Sequence, residues 1–382
     1  MSTRPQSALR QRLRPPGAVL RGVQQRLRGS RLAPPRQFDS GPIHVQRGRF
    51  AIVGDLQPIS RLEVWRQSNV QAGRQLIDQI VAECPDFLAI VGDLVLWGAS
   101  AAAWATFDEL ALPLWQARVP ILPLLGNHDY GLARHAGLTH FFTRFPQLDR
   151  RHWFSTTYGP LGLIFLDSNV RRLPAAHWDV QDRWYRQELA RFERMPSIRG
   201  VLVLLHHPPY TNSTLVADSR AVQRTFVPPF LQSPKTLAMV AGHVHSYERY
   251  IRAGKTFLVT GGGGPCMRLA SGRRRRHDDD CFAGPPLRGF HFLLLTLVPN
   301  GLRIAMQGWQ QPQQVFETLD CFTPALGTTE PGWSPLWLVT TAFSSQMASP
   351  FCPSSVAHVR SWWRRPPPRL QTPPDISGPP GY

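Results

Sequence analysis

The segment Leu124–Tyr130, LLGNHDY, ends an apolar run at a glycine and then sets an amide, an imidazole and a carboxylate side by side (Asn127, His128, Asp129). Polar side chains crowded against a buried strand need partners, because an unpaired polar group removed from water is costly. Similar groups recur along the chain: Asp55 and Gln57 in VGDLQ, Asp93 in VGDLVLWG, His206 in LLHHPPY, and His243 and His245 in GHVH. Two carboxylates, two amides and three imidazoles make a donor set that suits Mn, Fe, Zn or Co better than Ca, and the lack of thiolates disfavours soft metals. A carboxylate at a strand end can bridge two cations about 3.5–4 Å apart, which together clamp a phosphate and activate a water. The single residue between His243 and His245 puts both imidazoles on one side of an extended segment, where each can serve a neighbouring cation.

These residues need strands to carry them. RFAIVGD and FLAIVGD are short apolar runs ending in Gly-Asp, the pattern of strands buried on both faces. Between them Val70, Leu76, Ile77, Ile80, Val81 and Cys84 recur at helical spacing and Pro85 stops the helix. Strand, helix, strand predicts a parallel βαβ unit. ILPLLGNHD is a weaker strand because Pro123 lies inside it. GLIFLDSN, GVLVLLHHPPY, TLAMVAGHVHSYER and TFLVTGGGGP follow, each an apolar run emptying into polar or glycine residues. In open α/β sheets ligands bind beyond the carboxyl ends of the strands. The fold class is therefore α/β, with the polar groups gathered at one end of the sheet.

The ordered set GD-x-Q, GD-x4-G, GNHD, H-x-P-x-Y and GHVHSYER resembles the calcineurin-like metallophosphoesterase superfamily over roughly residues 48–320. Its last two blocks look most like the purple-acid-phosphatase branch. Each block alone is weak; five in the family order are a strong signal. The resemblance implies two mixed β-sheets packed as a sandwich and flanked by helices, four layers α/β/β/α. It implies a first cation on Asp55, Gln57, Asp93 and His245, and a second on Asp93, Asn127, His206 and His243, with Asp93 as the bridge. His128 would face the substrate, protonating the leaving oxygen or stabilising charge in the transition state, and Asp129 would orient His128. Water activated at the cations would attack phosphorus in line.

Two departures matter. The family's first block usually reads D-x-H, and Gln57 stands in the histidine's place, a neutral and hard ligand that suits a labile Mn or Mg. The branch's tyrosinate ligand falls on Leu96, so a purple ferric centre is not expected. Three further residues have two readings each. His207 either supports the cluster or packs beside Pro208 and Pro209; Tyr210 and Tyr247 either border the phosphate pocket or belong to the core. Gly261–Gly264 reads as a strand-to-loop turn that could approach a phosphate. GKT at Gly254–Thr256 is not a P-loop, since the upstream glycine falls on Arg249.

The formal charge of +18 sits mainly at the ends: residues 1–49 hold eleven arginines against Asp39. Residues 1–45 are read as a disordered basic arm, 46–320 as the catalytic domain, and 321–382 as a Pro-rich disordered tail. The partner expected is a small phosphorylated substrate, with nucleic acid only as an accessory through the basic arm. Five scattered cysteines without C-x-x-C argue against a disulfide framework and for a reducing compartment. No apolar stretch is long enough to span a membrane and no signal h-region is present, so a cytoplasmic location is expected. The functional expectation is a dinuclear phosphoesterase using two divalent ions (Mn, Fe, Zn or Mg). A nuclease or phosphodiesterase on the same scaffold, or a non-catalytic binding module, stand as alternatives.

Overall fold

The computed structural model describes residues 35–38, 43–58, 69–282, 284–310, 313 and 315–327. In chain order the first half gives β1 (Arg49–Val53), α1 (Val70–Ala82), β2 (Leu88–Ile90), α2 (Ala101–Leu110), α3 (Leu112–Gln116), β3 (Ile121–Pro123), α4 (Asn127–Tyr130) and α5 (Arg134–Arg144). Then come β4 (Phe154–Tyr158), β5 (Leu161–Phe165), α6 (Ala175–Arg194), β6 (Gly200–Leu205), α7 (Arg220–Thr225), α8 (Val227–Gln232) and β7 (Thr236–Ala241). Five strands close the fold: β8 (Tyr247–Arg252), β9 (Lys255–Thr260), β10 (His291–Val298), β11 (Gly301–Gln310) and β12 (Val315–Phe322).

The strands form two six-stranded mixed sheets, ordered β12-β11-β10-β1-β2-β3 and β4-β5-β6-β7-β9-β8. Every apolar run read from the sequence is a strand, including ILP, whose Pro123 is tolerated because β3 lies at a sheet edge. The layers follow from strand parity. On β1, Phe50 and Ile52 point into the core between the sheets with Leu202 and Leu204 of β6. Ala51 and Val53 point outward under α1 and α2. Val201, Val203 and Leu205 face the opposite helical layer, Tyr185, Leu189 and Phe192 of α6. Strands buried on both faces must be apolar throughout, so their sequences run continuously rather than alternating. Each buried Leu, Ile or Phe contributes roughly 1.5–3 kcal/mol. The result is the four-layer α/β/β/α sandwich.

Helix α1 buries Ala72, Gly73, Leu76, Ile77, Ile80 and Val81 as its spacing requires, while Val70 is exposed. The helix ends earlier than expected, since Cys84 turns left-handed with φ 46°. The domain limits are wider than the composition suggested. Phe38 is buried against Phe107 and Phe145, and its N–H donates to Arg144 O. At the other end β12 continues past residue 320, Leu326 is buried, and the Gly327 N–H donates to Arg199 O. The rest of the expected arm and tail lies outside the described residues. Cys84 is disulfide-bonded, whereas Cys266, Cys281 and Cys321 are free. No helix among the described residues is long and apolar enough to cross a membrane.

Candidate metal centre

The polar groups gather where the two sheets meet at the carboxyl ends of their strands. Asp55 follows β1, Asp93 follows β2 and Asn127 opens α4 after β3, all from one sheet. His206 follows β6, and His243 and His245 lie between β7 and β8, from the other. Asp55, Asp93 and His243 are left-handed (φ 63°, 54° and 67°). That conformation costs non-glycine residues of order 1 kcal/mol or more each and persists at sites where the surroundings impose it. It turns each side chain back across the strand ends.

Seven sequence-assigned positions converge there. One ligand atom each from Asp55, Asp93 and His206 lie within 4.8 Å of one another, all three residues buried. His206 Nε2 stands 3.3 Å from Asp93 Oδ2 and 3.1 Å from Asn127 Oδ1. His245 Nε2 stands 3.3 Å from Asp55 Oδ1, and Gln57 Nε2 is 3.4 Å from both Asp93 Oδ2 and His245 Nε2. His243 packs its ring 4.9 Å from that of His206, and its N–H donates to the Asp55 carboxylate.

The donor set fits cations on the structure's own terms. His206 Nδ1 donates to Val91 O at 2.9 Å and His245 Nδ1 to Pro265 O at 3.0 Å, which leaves each Nε2 lone pair facing carboxylate and amide oxygens. Acceptor then faces acceptor, an arrangement that needs positive charge between the atoms. The buried Gln57 Oε1 has no hydrogen-bond partner at all. In the chain alone a proton fills part of that role. Burial lowers the His206 imidazole, but Asp93 more than offsets it and brings the group up to about 9. Burial likewise raises the Asp93 carboxyl, and His206, His128 and His243 then hold it well below the usual carboxylate range. Burial, with His206 nearby, pushes His243 down to about 3.

His128 is half-buried beside this cluster. Its N–H donates to Asp93 Oδ1 at 2.8 Å, and its Nδ1 lies 2.9 Å from Leu96 O. Leu96, where the purple branch has tyrosine, therefore supports the ring of His128 through its backbone. Asp129 does not orient His128 as expected. Its carboxylate is buried and accepts four backbone N–H groups, from Asp93 (2.9 Å), Leu94 (2.9 Å), Val95 (3.2 Å) and Gly126 (2.9 Å). It clamps the Asp93 loop onto the start of α4 because two turns of unpaired N–H groups meet there, and a carboxylate is the one side chain able to accept them all. Burial and the charge of Asp93 raise the Asp129 carboxyl to about 8, against the pull of the Gly126 and Val95 donors.

Of the residues with two readings, His207 joins the cluster, its ring 4.4 Å from that of His243. Tyr210 and Tyr247 do not border it. The Arg252 guanidinium lies 3.7 Å over the Tyr210 ring, and the Tyr247 hydroxyl donates to Asp320 Oδ2 at 2.8 Å, tying β8 to β12. The glycine run Gly261–Gly264 is backbone lining for the ligands: a Cβ on Gly264 would meet the His245 ring at 2.5 Å, and one on Gly126 would meet Asp93 Oδ1 at 2.1 Å. Sequence reasoning passed over Asn69, whose Nδ2 joins Gln57 O (2.8 Å) to Gly263 O (2.9 Å). It also passed over Asp167, Ser168 and Asn169 after β5, although that strand end carries three polar residues in a row.

Residues 48–247, just over half of the chain, match the family model described as calcineurin-like phosphoesterase. The chain belongs to the calcineurin-like phosphoesterase family. Within the family its similarity falls in the purple-acid-phosphatase-like branch. It is 24% identical over 271 residues to purple acid phosphatase 15 of Arabidopsis thaliana, covering 61% of this chain and 47% of that protein. The chain spans about half the length of the curated relatives it matches. Among solved structures, a purple acid phosphatase from yellow lupin (Lupinus luteus) seeds superposes with a TM-score of 0.56 at 19% identity, over 75% of this chain and 55% of that one. GAP50, the anchor in the inner membrane complex of Plasmodium, superposes with a TM-score of 0.54 at 14% identity, over 74% and 90%. At these identities the superpositions establish the phosphoesterase fold.

Proposed function

We propose that this phosphoesterase-family chain hydrolyses a phosphoric ester with two divalent cations held at the strand-end cluster. Asp55, Gln57, Asp93 and His245 would hold the first; Asp93, Asn127, His206 and His243 would hold the second. The observation that carries the reading is that His206 Nε2 and His245 Nε2, each left as an acceptor, face Asp93 Oδ2 and Asp55 Oδ1 at 3.3 Å, next to a buried Gln57 whose Oε1 has no hydrogen-bond partner. Cations bound there supply Lewis-acid polarisation of a phosphoryl oxygen and a water of lowered pKa.

The chain's own residues do the rest. Val91 O and Pro265 O fix the tautomers of His206 and His245 so that each presents Nε2 inward. His128, its Nδ1 held by Leu96 O, keeps Nε2 free on the half-buried side for the leaving oxygen. Asp129 keeps Asp93 and Asn127 in register by clamping both of their loops. The neutral carbonyl of Gln57 favours a hard ion, Mn or Mg, at the first position.

The test is a phosphoester panel on metal-stripped protein resupplied with Mn, Zn, Fe, Mg or Co, with elemental analysis of the reloaded chain. Two equivalents taken up together with cation-dependent hydrolysis support the reading, and an aryl monoester compared with its diester assigns the substrate class. Absence of hydrolysis across the panel despite full loading would sink it and favour a binding module.

A further inference from the structure

The ring nitrogens of His206, His207 and His243 lie within 4.8 Å of one another, yet the imidazoles are not held alike. His206 and His245 each donate Nδ1–H to a backbone carbonyl, which leaves Nε2 as an acceptor. His207 meets a hydroxyl instead: its Nδ1 is 2.9 Å from Ser168 Oγ. That oxygen already accepts the N–H of His206 at 3.1 Å and the N–H of His207 at 2.9 Å. A serine oxygen has two lone pairs and one proton. With both lone pairs taken, the proton goes to the remaining partner, His207 Nδ1. A neutral imidazole that accepts at Nδ1 carries its own proton on Nε2.

Ser168 is in no position to turn away. It is buried, and both its neighbours are fixed. The Asp167 N–H donates to Gln181 Oε1 at 2.7 Å while Gln181 Nε2 donates to Asp167 O at 2.9 Å. On the other side Asn169 Nδ2 donates to Leu125 O at 2.9 Å, tying the turn to the strand that leads into Asn127. His207 is thus a donor set among acceptors. Ligation through Nε2 would need the opposite tautomer, which the Ser168 arrangement disfavours. Its ring is half-buried, as are Asn127, His128 and His243, so these four form the accessible side of the cluster.

We propose that His207 is a catalytic residue that donates its Nε2–H to a non-bridging phosphoryl oxygen of the ester, and that Ser168 is the positioning residue that fixes this tautomer. A donor aimed at oxygen that gains charge in the transition state stabilises it more than the ground state. The inference rests on the reading of the cluster as a cation-dependent phosphoester site, and it adds a substrate contact that is not a ligand.

The full chain, its His207→Ala, Ser168→Ala and Ser168→Thr variants, and inorganic phosphate as probe test it. Long-range 15N–1H spectra of 15N-histidine-labelled, Zn-loaded protein are expected to show His207 protonated at Nε2. His207→Ala is expected to keep every cation equivalent of the wild type while kcat falls about 10²-fold, the usual effect of deleting one such donor. Its inhibition by inorganic phosphate should weaken as well. Ser168→Ala should mix the His207 tautomers and lower kcat, and Ser168→Thr should restore both. A wild-type His207 protonated at Nδ1, loss of a cation equivalent in His207→Ala, or unchanged kcat and phosphate inhibition in that variant would each overturn the proposal. Failure of the underlying reading looks different: wild-type chain that takes up no cation at all, whatever tautomer the spectra show.

Discussion

Replacing Asp129 by Asn tests whether that carboxylate holds the loops or aims His128. Each of its oxygens accepts two buried N–H groups: Oδ2 from Asp93 and Gly126, Oδ1 from Leu94 and Val95. An amide keeps one acceptor and turns a donor toward the other pair. Two buried N–H groups then lose their acceptor at about 1–3 kcal/mol each, so the variant should be roughly 2–6 kcal/mol less stable. In a chain of this size that lowers Tm by about 5–15 °C. Calorimetry on cation-loaded protein at pH 8.5, where the carboxylate is ionised, reads the shift. Asp129→Ala leaves all four donors unmet and should be worse still. The clamp is refuted by an Asn variant that melts with the wild type yet has lost hydrolysis, since that is the signature of a misdirected His128 in an intact loop.

Asp93→Asn should lose at least one cation equivalent and bind the remainder on the order of 10²-fold more weakly, with hydrolysis falling in step; elemental analysis with a chelator titration decides it, and full loading would remove Asp93 as the bridge. Gly264→Ala places a Cβ 2.5 Å from the His245 ring, so it should weaken the first cation more than it lowers Tm, as metal titration beside a melting curve would reveal. Cation loading should raise Tm more at pH 9 than at pH 6. In the cation-free chain His206 is raised to about 9 and Asp129 to about 8, so the stability tied to their folded-state protons is present at low pH and is lost as pH rises through those values. Bound cations replace that missing positive charge, and equal Tm gains at the two pH values would contradict this account.

Much of the site was legible because its chemistry sits in unbroken local signals. Gly-Asp, Asn-His-Asp and His-x-His mark the carboxyl ends of apolar runs, where α/β sheets gather their ligands, and strands buried on both faces announce themselves by continuous hydrophobicity. What went unread were β10, β11 and β12: β10 pairs with β1, more than two hundred residues earlier, and β11 and β12 build outward from it, so their alternating faces are assigned only by that pairing.

The sequence by itself determined which residue types were present, their order and the class of cation chemistry they suit, because ligand preference is a property of the side chains. Tertiary structure alone decided what each polar atom meets. Asp129 became a loop clamp because four N–H groups converge on it from two segments, and His207 became a donor because Ser168, thirty-nine residues away, has its lone pairs filled by other backbone. Tyr210 and Tyr247 were drawn elsewhere by Arg252 and Asp320. Hydrogen-bond roles depend on neighbours in space, and no spacing along a chain specifies those neighbours.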